Sequence, residues 1–171
     1  MNCVSNLQVA ADAQGTGKTT TAVLDAKRMG LKTLFVAHTV ELLKQARQKF
    51  QELWPEAQTE IIDYNRGTSA DVIIASIQGL QSHLQEFRPD EFGYIIIDEA
   101  HHAAASGYRK VISYFTPRFL LGMTATPERH DQESIMEIFQ NEAHRLDLKT
   151  AVEIGELVPI RCVRVKTNID F

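Results

Sequence analysis

The sequence predicts an α/β domain built on a doubly wound, mostly parallel sheet, and three observations lead there. Short apolar runs rich in β-branched residues recur along the 171 residues, and helix-length segments separate several of them. The runs are apolar at successive positions rather than alternate ones, as strands are when helices cover both faces of a sheet. A composition of 44% hydrophobic and 8% aromatic residues supplies enough apolar side chain for one domain with a core.

The expected strands, in order, are LQVA (7–10), TLFVAH (33–38), TEII (59–62), VIIAS (72–76), YIIID (94–98), FLLGM (119–123) and IRCVRV (160–165). A helix over 17–29 follows a Gly-rich turn and stops at Gly30, where glycine suits a helix end. A second, over 40–53, has apolar residues at 42, 43, 46, 50 and 53 and stops before Pro55. Further helices are expected over 77–87, 106–115, 131–140 and 146–155. There is no internal repeat or low-complexity stretch. The expected organisation is one domain over 1–155, with 156–171 a linker or the start of a second domain that these residues lack.

A net charge of −4 argues against a uniformly basic coat for nucleic acid and leaves room for a local basic edge. Cys3 and Cys162 lie too far apart in sequence to suggest a disulfide framework or a metal-ligand pair, so a reducing compartment is expected. The longest apolar runs fall far short of the ~20 residues a membrane span needs, and the N-terminus does not read as a signal peptide. The expected setting is therefore cytoplasmic, with no membrane partner.

Ligands of such sheets bind beyond the carboxyl ends of the strands, so the residues that follow each run carry the chemistry. After the first comes AQGTGKTTT (13–21). Gly15 and Gly17 can take positive φ and let backbone N–H groups approach an anion, Lys18 supplies a compact charge, and the Thr19 hydroxyl can ligate Mg²⁺. The full phosphate-loop pattern also wants glycine at 12, where Asp12 stands. A plain turn before an exposed lysine would use the same residues, and the loop alone does not decide between them.

In YIIIDEAHH (94–102) an apolar strand ends at two adjacent acids. Asp98 is placed to hold a hard cation, directly or through water, and Glu99 to orient and deprotonate a water attacking a γ-phosphorus. Alone, the pair reads equally as a helix cap and first-turn acid; a phosphate loop upstream turns the balance toward a nucleotide site. Adjacent His101 and His102 point in different directions and read as polar switch residues rather than metal ligands. GMTATPERH (122–130) ends a third strand, where Thr124 and Thr126 can hydrogen-bond Asp98, Glu99 or His101 and sense a γ-phosphate, or simply cap a turn.

With GTGKT (15–19), DEAH (98–101) and TAT (124–126) in this order at strand ends, the chain resembles the first motor domain of superfamily 2 helicases and translocases. More narrowly, it is similar to the DEAH-type group that includes the motor subunits of type I and type III restriction enzymes. The resemblance covers nearly the whole chain and implies a RecA-like P-loop NTPase domain that uses ATP and Mg²⁺ to move along DNA or RNA. It implies that Gly15, Thr16, Gly17, Lys18 and Thr19, with Thr20 beside them, bind the nucleotide, Lys18 on the β/γ-phosphates and Thr19 on the metal. Asp98 then matches the metal-holding acid and Glu99 the water-activating acid, while His101, Thr124 and Thr126 match residues that link nucleotide state to domain movement. The family works as two such domains with ATP in the cleft between them and arginines from the second. The resemblance therefore implies that this chain alone, without that second domain, binds nucleotide weakly and hydrolyses it slowly.

FVAHTVELLKQA (35–46) and VIIASIQGL (72–80) are similar to the family's first two nucleic-acid motifs. Loop N–H and hydroxyl groups of Thr39, Ser76 and Gln78 are the expected contacts to successive phosphates, independent of sequence and sensitive to salt. The charges of Lys27, Arg28, Lys32, Lys44, Arg47 and Lys49 read as solvated helix faces, and Trp54 as core or cap packing rather than a base-stacking platform. The rival reading is a module that binds nucleotide or protein through a degenerate loop without turnover. Asp12 favours it, and the acids at 98 and 99 speak against it.

Overall fold

A computed structural model describes residues 6–12, 17–62, 64, 69–124, 138–139, 141–146, 150 and 153. The strands are β1 (Asn6–Asp12), β2 (Thr33–Ala37), β3 (Thr59–Ile61), β4 (Val72–Ser76), β5 (Tyr94–Ile97), β6 (Phe119–Thr124) and β7 (Asn141–Leu146). Helices α1 (Lys18–Met29), α2 (Val40–Leu53), α3 (Ile77–His83) and α4 (Ser106–Tyr114) connect them, with 3-10 turns over Leu84–Glu86 and Ala100–Ala104. The strands form one sheet in the order β3-β4-β2-β5-β6-β1-β7, and every pairing is parallel.

Burial on both faces follows from the continuous apolar runs. Along β2, Leu34 and Val36 enter one core with Ile73, Ala75, Ile95, Ile97 and Leu120, beneath α3 and α4. The alternate residues Phe35 and Ala37 enter the other with Val72, Ile74, Tyr94, Ile96 and Met123, where α1 and α2 pack. Strand side chains alternate sides, so a run must be apolar throughout to fill both layers.

The helix ends follow local rules. Gly17 takes φ 83° before α1 and Gly30 φ 59° after it, the Gly30 N–H donating to the Ala26 carbonyl. The Thr39 hydroxyl caps α2 by accepting from the Leu42 N–H at 3.3 Å, and α2 buries Leu43, Ala46 and Phe50, one stripe of a 3.6-residue period. Trp54 closes α2 and packs against the core, as the sequence suggests. The helix expected over 77–87 is shorter: α3 ends at His83 and tightens into the 3-10 turn.

The helix expected over 146–155 starts later than expected: Leu146 is the last residue of β7, while Thr150 and Glu153 are helical. The strand β7 itself is not expected. Among the described residues β7 has only β1 beside it, and a strand with one neighbour tolerates polar and charged residues such as those of NEAHRL. Its pairing with β1 shifts register between Val9 and Ala10. The expected strand over 160–165 and most of the expected helix over 131–140 lie outside the described residues.

The strand order positions the site. β6 lies between β1 and β5, so whatever follows β1 and whatever follows β5 stand two strand spacings apart, about 9–10 Å, with the end of β6 between them.

Candidate functional site

Three parallel strands end side by side at one edge of the sheet, and each delivers a group of the expected set. On the β1 side, Gly17 has a left-handed backbone that turns directly into α1 and puts Lys18 at its first position. Glycine brings no capping side chain, so an anion placed at this helix start meets backbone N–H groups and the positive end of the helix. Thr19 and Thr20 follow in the first turn, both half-buried. Gly15 and Thr16 lie outside the described residues, as does Thr126.

Asp98 follows β5 and is held by its own backbone: its N–H donates to the Val36 carbonyl at 2.9 Å, extending the ladder with β2. It is one of few buried polar residues, 9% exposed. Burial raises its carboxyl above the ordinary 3.8, and the Glu99 charge adds to the rise; the Glu99 N–H, then Lys18 and His38, pull it back down. The Lys18 ammonium and the Asp98 carboxylate thus share one electrostatic pocket, although they lie eighty positions apart in sequence.

Glu99 leaves the ladder altogether. At φ 54° it is the one non-glycine with positive φ among the described residues. That conformation costs roughly 1–2 kcal/mol for a side chain of this kind. Its side chain does not cap the following turn. Instead Oε2 lies 3.1 Å from His101 Nδ1, and the same nitrogen lies 3.2 Å from Thr124 Oγ1. A proton on Nδ1 serves the carboxylate; without it, two lone pairs would face each other. The three side chains expected to communicate, Glu99, His101 and Thr124, are therefore in contact, and Thr124 is fully buried at the end of β6.

Two groups missed in the sequence stand behind the acids. His38, immediately after β2, sets its ring 5.4 Å from that of His102 at 74°, and its Nδ1 is buried with no hydrogen-bond partner among the described residues. Tyr108 of α4 is 5% exposed, its ring 6.5 Å from that of His102. Burial, reinforced by the charges of Asp98 and Glu99, pushes its hydroxyl up to about 12. His38 was legible in principle, since it directly follows a strand; Tyr108 was not, because only the packing of α4 brings it near.

The expected strand contacts sit one step along the same edge. Ala37 pairs with Ser76, so the loops after β2 and β4 are neighbours. The hydroxyl oxygens there already accept helix N–H groups, Thr39 from Leu42 at 3.3 Å and Ser76 from Gly79 at 3.1 Å. Each keeps its O–H for an outside acceptor. Gln78 is exposed. The basic residues lie elsewhere and several are spent on acids: Lys27 with Glu56, Lys32 with Glu91, Lys49 with Glu52. Lys27, Arg28, Lys44 and Arg47 are exposed on α1 and α2, as the sequence suggests, whereas Lys32 precedes β2 and is half-buried beside Glu91 and the Phe92 ring.

Among the described residues no three His, Cys, Asp or Glu side chains form a metal cage, and no described helix is long and apolar enough to cross a membrane. An ion held jointly by protein and triphosphate needs no cage, because Mg²⁺ keeps most of its shell in phosphate and water oxygens. Two adjacent acids with one raised carboxyl are a donor set that fits it.

The sequence pattern of the family described as "Type III restriction enzyme, res subunit" matches residues 6–129. Among curated proteins, the type I restriction enzyme EcoAI endonuclease subunit of Escherichia coli is 28% identical over 93% of this chain and 21% of its own length. The putative ATP-dependent helicase IRC3 of Saccharomyces cerevisiae is 28% identical over 82% of this chain and 22% of its own. The chain thus spans about a fifth of the length of these relatives. Among solved structures, the Pyrococcus furiosus Hef helicase domain superposes with a TM-score of 0.70 and 22% identity over 84% of this chain and 35% of that one, which establishes the RecA-like helicase-domain fold.

Proposed function

Since the chain belongs to the family of type III restriction enzyme res subunits, we propose that it is the ATP-binding first motor domain of a DEAH-type helicase or DNA translocase. The observation that carries this reading is the convergence of Lys18, Asp98, Glu99, His101 and Thr124 at the ends of three adjacent strands. ATP enters with its phosphates over the start of α1, where Gly17 admits the backbone and Lys18 neutralises the β/γ-phosphates. Asp98 and the Thr19 hydroxyl are the residues that would hold Mg²⁺, which when bound offsets charge on the triphosphate. Glu99 accepts the proton of the water that attacks the γ-phosphorus, as its O–P bond forms and the bond to the β-phosphate oxygen breaks. His101 fixes the direction of that carboxylate and joins it to Thr124, so the state of the γ-phosphate is felt at the end of β6.

The strand of DNA or RNA lies across the loops after β2 and β4, held without base reading by Thr39, Ser76 and Gln78 and by nearby main-chain N–H groups. Cleft closure against a second RecA-like domain, and its release on hydrolysis, would move the protein along that strand in a cytoplasmic setting. The separation of roles is tested by Glu99→Gln in the full-length protein. The variant should bind ATP within about twofold of wild type in the presence of Mg²⁺ and lose roughly 10²–10⁴-fold in turnover. Equal loss of binding and turnover, or wild-type turnover that is absent with Mg²⁺ and nucleic acid supplied, would instead favour a non-hydrolysing module with a degenerate loop.

A further inference from the structure

Resting on the function proposed above, we infer that His38 is a positioning residue that couples the nucleic-acid loop after β2 to the catalytic acid through the adjoining rings of His102 and His101. The argument begins with adjacency. His38 directly precedes Thr39, which caps α2 and stands in the loop that would meet the strand. A phosphate drawn to that loop therefore bears on the backbone that carries the His38 ring.

From that ring a continuous path of side-chain contacts runs to Glu99. The His38 and His102 centroids are 5.4 Å apart, edge to face, and those of His102 and His101 are 4.0 Å apart. His101 Nδ1 then reaches Glu99 Oε2 at 3.1 Å and Thr124 Oγ1 at 3.2 Å. Each step is a direct contact, so a displacement of the first ring bears in turn on His102, on His101 and on the Glu99 carboxylate.

Two further features suit a movable coupling. A buried polar nitrogen without a partner is uncommon and costly, and His38 Nδ1 is one. With no bond at that atom, the ring can shift with its loop without breaking one there. At the far end, Glu99 is held off the sheet ladder in a strained left-handed conformation, which makes its orientation sensitive to what packs against the turn that follows. Tyr108 flanks His102 from α4 and limits the path on that side.

The coupling is a property of the ring's shape, which separates it from a hydrogen-bonding or purely structural role. The experiment measures, in the full-length protein, the ratio of ATP turnover with saturating mixed-sequence single strand to turnover without it. His38→Ala should lower that ratio roughly 2- to 30-fold, the range expected when one link of a coupled pair is removed, with the ATP KM and the strand Kd within about twofold of wild type. His38→Phe, which keeps a ring edge against His102, should restore most of the ratio. His102→Ala, at an exposed position, should lower it similarly, and the double variant His38→Ala/His102→Ala should lose no more than either single change. A stimulated wild type with equally stimulated His38→Ala and His102→Ala overturns the coupling and leaves the proposed function intact. Additive losses in the double variant also overturn it. A wild type indifferent to the strand overturns the proposed function, and the coupling with it.

Discussion

Gly122→Ala tests how tightly the sheet grips the turn that carries the acids. Gly122 lies in β6 opposite Ile97 of β5 and Val9 of β1. A Cβ added there would stand 2.6 Å from Phe139 Cζ, 2.9 Å from Phe139 Cε1 and 2.9 Å from Ala100 Cβ. Carbon atoms pack at about 3.5–4.0 Å, so each contact is about 0.6 Å or more too short. Neither neighbour yields easily. Phe139 is fully buried, and the Ala100 Cβ is fixed by the backbone of the turn immediately after Glu99. Overpacking of this kind costs about 1–3 kcal/mol, which for a chain of this size lowers Tm by roughly 2–12 °C. The least costly relief is a shift of the turn itself, so turnover should fall more than ATP affinity, by on the order of 10²-fold for a displacement near 1 Å. Thermal unfolding followed by circular dichroism, with ATP titration and turnover on the same preparation, reads all three quantities. A control is Gly107→Ala in α4, where the three atoms nearest an added Cβ all belong to the amide end of the half-buried Gln81 side chain; that side chain can swing away, and alanine gains helix propensity. If Gly122→Ala melts within about 1 °C of wild type and turns over normally, the packing argument is wrong.

The other predictions concern single groups of the site and its edge. Lys18→Ala should weaken ATP binding by roughly 10- to 150-fold, the loss expected for a charged hydrogen-bond donor; unchanged affinity by calorimetry would remove Lys18 from the phosphates. Asp98→Asn should raise Tm at neutral pH when measured with a chelator. The folded-state carboxyl is raised above 3.8, so its stabilising share is complete only below that value and is lost as pH climbs through the raised one. The gain from Asn should accordingly shrink as pH falls toward 3.8, and a gain independent of pH would contradict a buried, repelled charge. Thr39→Ala removes the α2 cap and should cost about 1 kcal/mol, lowering Tm roughly 2–4 °C, while also weakening strand binding; intact strand affinity in a destabilised variant would confine Thr39 to capping.

What the sequence reveals depends on whether the information is local. β2, β4, β5 and β6 are legible because each must fill two cores, and a continuous apolar run has few other uses in a soluble chain. β7 is not, because a strand with one partner among the described residues can be built from Asn, Glu, His and Arg. The adjacency of acid and strand end at Asp98 is equally local. The distance between Lys18 and that acid is not, since it depends on β6 being inserted between β1 and β5, an order no residue pattern announces. The same holds for the rings of His38, His102 and Tyr108, which three separate elements bring together. Thr39 and Ser76 show a subtler limit: one hydroxyl can cap a helix and still offer a proton outward, so the two readings of such residues are not exclusive.

The different work proposed for two neighbouring acids follows from where the ladder stops. Asp98 is the last residue whose N–H is still bound to the adjacent strand, and the sheet fixes its carboxylate in a buried position. A group held that rigidly loses little further freedom on meeting a cation, and its elevated carboxyl is relieved by one. Glu99 has left the ladder, is 29% exposed at its side chain and leans on His101 rather than on backbone. It can reach water and can be redirected. Exchanging their duties would ask the mobile group to hold an ion and the buried group to collect a proton from solvent, and both would do so less well. The division of labour is therefore set by one main-chain hydrogen bond, that from the Asp98 N–H to Val36, and by its absence one residue later in the chain.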